Sequence, residues 1–167
     1  SKVHQELRFF GIKLLPPHIT KSELDFSKQD KDIRFGLLSI KGISDKSIEK
    51  LEQFKNKYSS KFQVFQAAKQ AKLPIGILSA LIQAGAFQGF KQSRSRVVLE
   101  AQLWNILTPK EKSIIMPMSE KHEHDLIDII KKLTKTKNEN GTLMIKESRF
   151  ATIRRDYGPY LKIYLQN

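Results

Sequence analysis

The sequence lacks cysteine, is poor in acidic residues and contains no long apolar run. Without cysteine there can be no disulfide and no thiolate metal site, and the composition agrees with a reducing, cytoplasmic location. No segment approaches the roughly 18 to 20 apolar residues that a bilayer span requires. No secretory leader is visible at Ser1, so we expect no membrane partner.

The charge balance is strongly basic. Lys and Arg total 30 against 17 Asp and Glu, a formal net charge of +13 in 167 residues. Net charge is informative about partners rather than fold, and an excess of this size predicts an extended polyanion as partner. An anionic membrane surface would also suit a basic chain, but the basic residues are scattered rather than gathered on one amphipathic face.

The most informative motif is a glycine bend at residues 40–45, set between two short apolar-periodic segments. Gly42 reaches backbone conformations that are strained for other residues, and Ile43 would anchor the bend in the core. The free N–H groups of the following helix would face outward at a place that favours an anion. The pattern predicts a helix-hairpin-helix that holds a nucleic-acid phosphate, with an ordinary glycine-capped turn as the alternative. The residues predicted to contact DNA here are Lys41, Gly42, Ile43, Ser44, Asp45 and Lys46.

A second unit of helix, glycine bend and helix follows. Pro74 suits the first turn of a helix that stops near Gly85, and another helix begins near Ser93. Two such units in tandem are expected to pack as one domain. Arginines after the bend could reach a phosphate, although a solvated helix start is an equal alternative for them. The second set of candidate DNA contacts is Gly85, Ala86, Arg94 and Arg96.

The remaining pattern predicts a mainly α fold with a small β-hairpin near each end. A capping box at Thr108 and Glu111 marks one further helix start. Helices are expected over 2–10, 35–40, 45–55, 60–72 and 119–133, and strands over 24–26, 33–35, 142–154 and 160–165. The predicted segments are 1–35 with the first hairpin, 36–107 as the tandem domain, 108–133 as a helical extension, 134–141 as a linker and 142–167 as a strand pair.

Three ordered blocks, residues 11–26, 33–43 and 77–87, resemble the replicative DNA polymerase III alpha subunit of bacteria or their phages. The resemblance implies the end of the fingers region followed by a tandem helix-hairpin-helix domain. Such a domain would hold duplex or primer-template DNA behind the polymerase active site, in a region that also carries the sliding-clamp contact. Two positions depart from the family pattern: Ser44 stands where a second glycine is frequent, and His18 where an acidic residue is common. From Lys91 onward the resemblance fades.

The resemblance also implies that this segment is not catalytic. In the family, the carboxylates that hold two metal ions belong to the palm, upstream of this segment. Asp25, Asp30 and Asp32 do not resemble that motif. No cofactor is therefore expected here, whereas Mg²⁺ is expected for the parent enzyme, a DNA-directed DNA polymerase.

Three smaller features admit two interpretations each. The histidines in His122-Glu123-His124-Asp125 are two residues apart, on different helix faces, so a polar helix start is favoured over a metal site. The segment 102–107, around Trp104, loosely resembles a clamp-binding peptide, but its spacing favours core packing. Arg154 and Arg155, next to Tyr157, suit either a contact with DNA backbone or a stacked base, or a solvated turn.

Two other functions stay open at this level. A basic surface is also suited to docking an acidic replication protein, such as a sliding clamp. Helix-hairpin-helix modules likewise serve DNA-repair nucleases and ligases as accessory domains. The block at residues 11–26 argues against the second of these, because the hairpin alone would not bring those residues with it.

Overall fold

The computed structural model describes residues 9–122 and 125–166, and their side chains except those of 119–122 and 157–166. The chain forms two compact units. Unit 1 lies within residues 1–59 and 66–89, and unit 2 within 60–65 and 90–167. The predicted domain boundaries at residues 35, 107, 133 and 141 stay predictions. In the described part of the chain, no helix is both long and apolar enough to cross a membrane.

Unit 1 contains a three-stranded sheet in the order β1-β3-β2, with β1 at Leu14–Leu15, β2 at Ser27–Gln29 and β3 at Asp32–Arg34. Strands β2 and β3 are antiparallel and confirm the predicted hairpin, with Asp30 at positive φ in the turn. The first strand lies three residues later than predicted. Strand β1 pairs parallel with β3 and adds a third strand that the sequence pattern did not indicate as such.

Most of unit 1 after the sheet is helical. Single 3₁₀ turns at Leu37–Ser39 and Asp45–Ser47 flank the glycine bend. The helix predicted at 35–40 is therefore reduced to one 3₁₀ turn. Three helices follow, α1 at Ile48–Phe54, α2 at Lys61–Gln70 and α3 at Ile75–Gln83, close to the predicted positions. Helix α2 contributes its first five residues to unit 2 and the others to unit 1.

Gly36 fixes the approach of the chain to the first bend. The neighbouring backbone N–H groups of Leu37 and Leu38 donate to the carbonyls of Glu23 and Leu24, at 3.0 Å each. A Cβ at Gly36 would lie 2.4 Å from the carbonyl carbon of Asp25, a distance that no real contact tolerates. Only glycine therefore permits this close crossing of two backbone segments.

The described part of unit 2 contains four whole helices, besides the first half of α2, and one aromatic cluster. They are α4 at Arg94–Ile106, α5 at Pro109–His122, α6 at Leu126–Leu133 and α7 at Glu147–Gln166. Trp104 is fully buried, with its ring centroid 5.7 Å from that of Phe62 and 6.2 Å from that of Phe65. The predicted capping box is confirmed, since Glu111 Oε1 accepts from the Thr108 N–H at 2.8 Å and Thr108 Oγ1 from the Glu111 N–H at 3.2 Å.

A buried ion pair links three elements of unit 2. Lys61 Nζ lies 2.7 Å from Glu100 Oε1, and both side chains are almost completely shielded from solvent. The same oxygen accepts from the Leu126 N–H at 2.6 Å, at the start of α6. Burial raises the pKa of Glu100 above its ordinary value, and the charge of Lys61 offsets only part of that rise.

The helix predicted over 119–133 is divided. Helix α5 continues to His122, with Pro117 inside it, and α6 begins only at Leu126. The new start lies after Asp125, whose side chain accepts from the N–H of Ile127 at 2.8 Å. A local carboxylate cap therefore places this boundary.

The predicted C-terminal strand pair is wrong, because α7 occupies Glu147–Gln166. Arg149 on α7 makes a two-pronged contact with Glu111, through Nε to Oε2 and Nη2 to Oε1, each at 3.0 Å. Burial alone would raise the pKa of Glu111, but the hydrogen bonds from Arg149 and Thr108 hold it below its ordinary value. Ile153, one turn after Phe150, is buried on the same helix. The polar segment 134–141 predicted as a linker or turn is closed by a bridge between Lys137 and Leu143.

The helix predicted over 2–10 lies almost wholly outside the described residues. Of its positions, only 9 and 10 are described, and they form the end of a helical turn before Gly11.

Candidate nucleic-acid interface

The first bend has the predicted backbone. Gly42 adopts φ +96°, in the left-handed region that favours glycine. The N–H of Ile43 donates to the carbonyl of Ile40 at 3.1 Å, and the Ile43 side chain is buried. The bend is thus closed on its inner side by one hydrogen bond and one apolar anchor.

The outer side of the first bend offers unused donors. Ser44 is extended and precedes the 3₁₀ turn, whose first internal bond runs from the Ser47 N–H to the Ser44 carbonyl at 3.0 Å. Within the described residues, no protein acceptor receives the N–H of Gly42, Ser44, Asp45 or Lys46, and all four residues are exposed. Such N–H groups at a helix start form a site suited to an anion.

The second bend uses its donors internally. Gly85 has φ +81°, and its N–H donates to the Ile82 carbonyl at 3.1 Å. The N–H of Ala86 donates to Leu81 at 3.0 Å, which is the usual closure of a helix end by glycine. Ala86 is fully buried, and its carbonyl accepts from the N–H of Ile19 at 2.9 Å. This bend is therefore sealed against the loop at residues 16–22.

His18 organises that loop through its ring. Its Nδ1 accepts from the N–H groups of Thr20 at 3.2 Å and Lys21 at 3.3 Å, and lies 3.0 Å from the Thr20 hydroxyl. Burial, followed by the charges of Lys21 and Arg34, lowers the pKa of His18. A neutral ring nitrogen thus serves as acceptor for two N–H groups, a task for which a carboxylate is equally suited. The departure at this position therefore retains a hydrogen-bond acceptor.

The two predicted arginines lie at the start of α4, in unit 2. Ser93 caps this helix by accepting from the N–H of Arg96 at 3.3 Å. Arg96 Nε donates to the carboxylate of Asp125, and the Arg96 side chain is largely buried. Burial alone would lower the pKa of Arg96, but its bond to Asp125 raises it above its ordinary value. Its charge is thus compensated within the protein. Arg94 lies at the exposed start of the same helix.

The structure therefore divides the predicted contacts into three groups. Residues 41–46 form one bend with two lysines and one aspartate, in which every residue except the buried Ile43 is exposed. Gly85 and Ala86 form a closed bend in the same unit. Arg94 and Arg96 belong to the other unit.

An open groove next to the first bend was missed by the sequence pattern. It has a volume of about 560 Å³. Ile40 and Lys41 lie on one side and Ala80 and Gln83 of α3 on the other, with Phe35 also in the lining. No local signal in the sequence indicates it, because segments far apart in the chain form its walls.

The other candidates have structural roles. Leu103 and Trp104 of the clamp-like segment are buried, which confirms core packing for them. Asp32 accepts from the N–H of Lys13 at 3.0 Å. Of the segment His122-Glu123-His124-Asp125, residues 123 and 124 lie outside the described residues. Among those described, no group of three or more His, Asp or Glu side chains could hold a metal ion. Arg155 pairs with Asp156 on the exposed surface of α7.

Comparison with known families matches this architecture. A family described as "Helix-hairpin-helix motif" matches residues 11–97, which include both bends. The chain belongs to this helix-hairpin-helix family.

The curated relatives are more particular. The chain is 30% identical over 98 residues to DNA polymerase III subunit alpha of Aquifex aeolicus, covering 56% of this chain. It is 32% identical over 92 residues to the subunit of Saccharopolyspora erythraea, covering 53%, and 31% over 105 residues to that of Chlamydia pneumoniae, covering 61%. Each alignment covers about 8% of the relative's own length. The resemblance to the alpha subunit is thereby confirmed for the helix-hairpin-helix region.

Proposed function

We propose that this chain is a DNA-binding segment of a DNA polymerase III alpha subunit and holds duplex DNA by its phosphates. The observation that carries the proposal is the first bend, where the N–H groups of four exposed residues have no protein acceptor in the described structure. In this member of the helix-hairpin-helix family, a phosphate oxygen would accept hydrogen bonds from these N–H groups.

The charges around the bend support a phosphate rather than a neutral ligand. Lys41 and Lys46 are exposed on either side of Gly42, and Asp45 is the one acidic residue between them. The net charge of +13 adds a long-range attraction for a polyanion. Contacts of this kind position a protein on DNA and carry no base information, so binding is indifferent to sequence.

The chain itself is proposed to bind and not to catalyse. The relatives' name denotes a DNA polymerase subunit, and the aligned part of this chain covers about 8% of the length of the Aquifex aeolicus subunit. Polymerisation, Mg²⁺ and a sliding clamp would then belong to the parent protein. The cytoplasmic location expected from the sequence fits this role.

The experiment is a salt titration of binding to a blunt duplex. Each neutralised phosphate contributes about −0.9 to the slope of log K against log salt. With one hairpin, flanking lysines and other basic residues, we expect a slope of about −3 to −6. Lys46→Ala is expected to bring the slope closer to zero by up to about one unit, with little change in melting temperature.

The matched control is Lys69→Ala, which removes the same charge from the exposed end of α2. It is expected to change the slope less than Lys46→Ala. A wild-type slope near zero, or a strong preference for one base sequence, would contradict the proposal. Equal slopes for the two variants would contradict the assignment of the first bend as the phosphate-binding site.

A further inference from the structure

The groove beside the first bend is continuous with the proposed phosphate site. Lys41 belongs to both, since it flanks Gly42 in the bend and lines the groove. Helix α3, which also lines the groove, lies next to the bend as well, because a Cβ at Gly42 would be 3.7 Å from the Cβ of Ala80. A group attached to a phosphate that is bound at the bend would therefore extend directly into the groove.

The lining of the groove is apolar with a few polar groups. Ile40, Ala80 and Phe35 supply apolar surface, and Ser39 and Gln83 add groups that can donate and accept hydrogen bonds. Its volume of about 560 Å³ lies within the roughly 300 to 1,000 Å³ typical of small-ligand sites. Phe35 is half-buried, and the ring of Phe26 packs against it edge-on with centroids 4.9 Å apart.

A nucleotide combines the two chemistries that meet here. It has an anionic phosphate for the N–H groups and Lys41, and a flat base with polar edges for an apolar groove. Aromatic side chains next to a basic backbone-binding surface are the usual means of holding unpaired bases. Bases inside a duplex are stacked and paired, so only an unpaired base could enter.

We propose that this groove binds one unpaired nucleobase of a DNA strand whose adjacent phosphate is held at the first bend. The inference rests on the proposed DNA binding and deepens it. It assigns to the bend a preference for duplex that carries a single-stranded overhang over blunt duplex.

The test compares two overhang duplexes with the same number of phosphates. One carries normal bases in a short overhang, and the other carries abasic sites at the same positions. Because their charge is equal, any difference in affinity reports the bases alone. We expect the protein to bind the base-bearing overhang at least about fivefold more tightly.

Two variants locate the base. Ser39→Leu places an aliphatic side chain in the groove, and Gln88→Leu places the same side chain at an exposed position outside the lining. The first is expected to abolish the preference for bases, and the second to retain it. Phe35→Leu keeps an apolar side chain while removing the ring. Its backbone stays anchored to Leu15 at 2.9 Å and Ser22 at 2.7 Å, and it is also expected to lose the preference.

A blunt duplex measured in parallel separates this inference from the proposed function. Ser39→Leu with normal blunt-duplex binding and no base preference supports the groove as the site. Equal affinity of the wild-type protein for the two overhangs overturns the inference, while blunt-duplex binding with a steep salt dependence leaves the proposed function intact. A preference for the base-bearing overhang that is retained in Ser39→Leu also overturns the inference. If the wild-type protein binds no duplex at all, both the inference and the proposed function are overturned.

Discussion

The two glycine bends of unit 1 both place a glycine at positive φ, but they differ in the hydrogen bonding of the glycine N–H, since the N–H of the following residue, Ile43 or Ala86, has an acceptor in each bend. Gly42 and Gly85 both adopt positive φ, at +96° and +81°. At the second bend, the N–H groups of Gly85 and Ala86 donate to carbonyls of α3. At the first bend, the N–H groups of Gly42 and of residues 44–46 have no protein acceptor within the described residues.

The difference teaches that a glycine bend indicates a turn but not a binding site. A closed bend ends a helix and joins it to a neighbouring loop, as Ala86 does with Ile19. An open bend leaves donors that water or an anion must satisfy. The sequences are similar in their glycine and apolar residues, so only the course of the following chain separates the two roles.

The largest expected effect concerns the support of the first bend. Gly36→Ala places a Cβ against the backbone of Asp25, which has no flexible end to yield. We expect a loss of about 2 to 3 kcal/mol in the free energy of unfolding, measured by denaturant titration. Gly76→Ala is the control, since a Cβ there meets nothing within 4 Å inside α3. It is expected to stabilise by about 0.5 to 1 kcal/mol. Equal effects of the two substitutions would contradict the close crossing at Gly36.

The second prediction separates the two bends directly. Gly42→Ala and Gly85→Ala each force alanine into the left-handed region, at a cost of about 1 to 2 kcal/mol of stability. The cost at Gly42 is conformational, because the nearest atom to an added Cβ is 3.7 Å away. Duplex affinity, measured at a temperature where both variants are folded, is expected to fall only for Gly42→Ala. An equal fall for Gly85→Ala would mean that the closed bend also contributes to DNA binding.

The smallest expected effect is a pH dependence from His18. Its pKa is lowered in the folded protein, so the unfolded chain binds the proton more readily as pH falls below about 6.5. Stability is then lost as pH falls through the folded-state pKa, and the loss is small because His18 is only partly buried. His18→Asn retains a side-chain acceptor without titrating and is expected to reduce the loss of stability between pH 7 and 5. An unchanged pH profile in this variant would exclude His18 as its source.

Local chemistry made much of the fold predictable. Helices α1 to α4 follow apolar spacing, and the start of α5 follows a capping box whose two hydrogen bonds are both present. The bend at Gly42 was predictable because positive φ strongly restricts residue type. The sequence shows His18 as a departure from the family pattern, but its role as a hydrogen-bond acceptor depends on the turn that the loop adopts.

The sequence-based predictions are wrong where contacts between distant parts of the chain determine the local structure. The residues of α7 include β-branched Thr152 and Ile153, and Gly158 with Pro159 is typical of a turn. The sequence signal for a helix is weaker than the signal for strands and a turn. It consists of the helical spacing of three residues between Phe150 and Ile153. The contact of Arg149 with Glu111, 38 positions earlier, favours the helix and is invisible to local pattern. The same applies to the pairing of Arg96 with Asp125 and to the groove beside the first bend.

The most direct test of the central claim is the response of individual backbone N–H groups to DNA. In amide-resolved NMR at low salt, added blunt duplex is expected to shift the signals of Gly42, Ser44, Asp45 and Lys46, while those of Gly85 and Ala86 change little. Binding accompanied by shifts at Gly85 and Ala86 and none at residues 42–46 would contradict the claim that the open bend receives the phosphate.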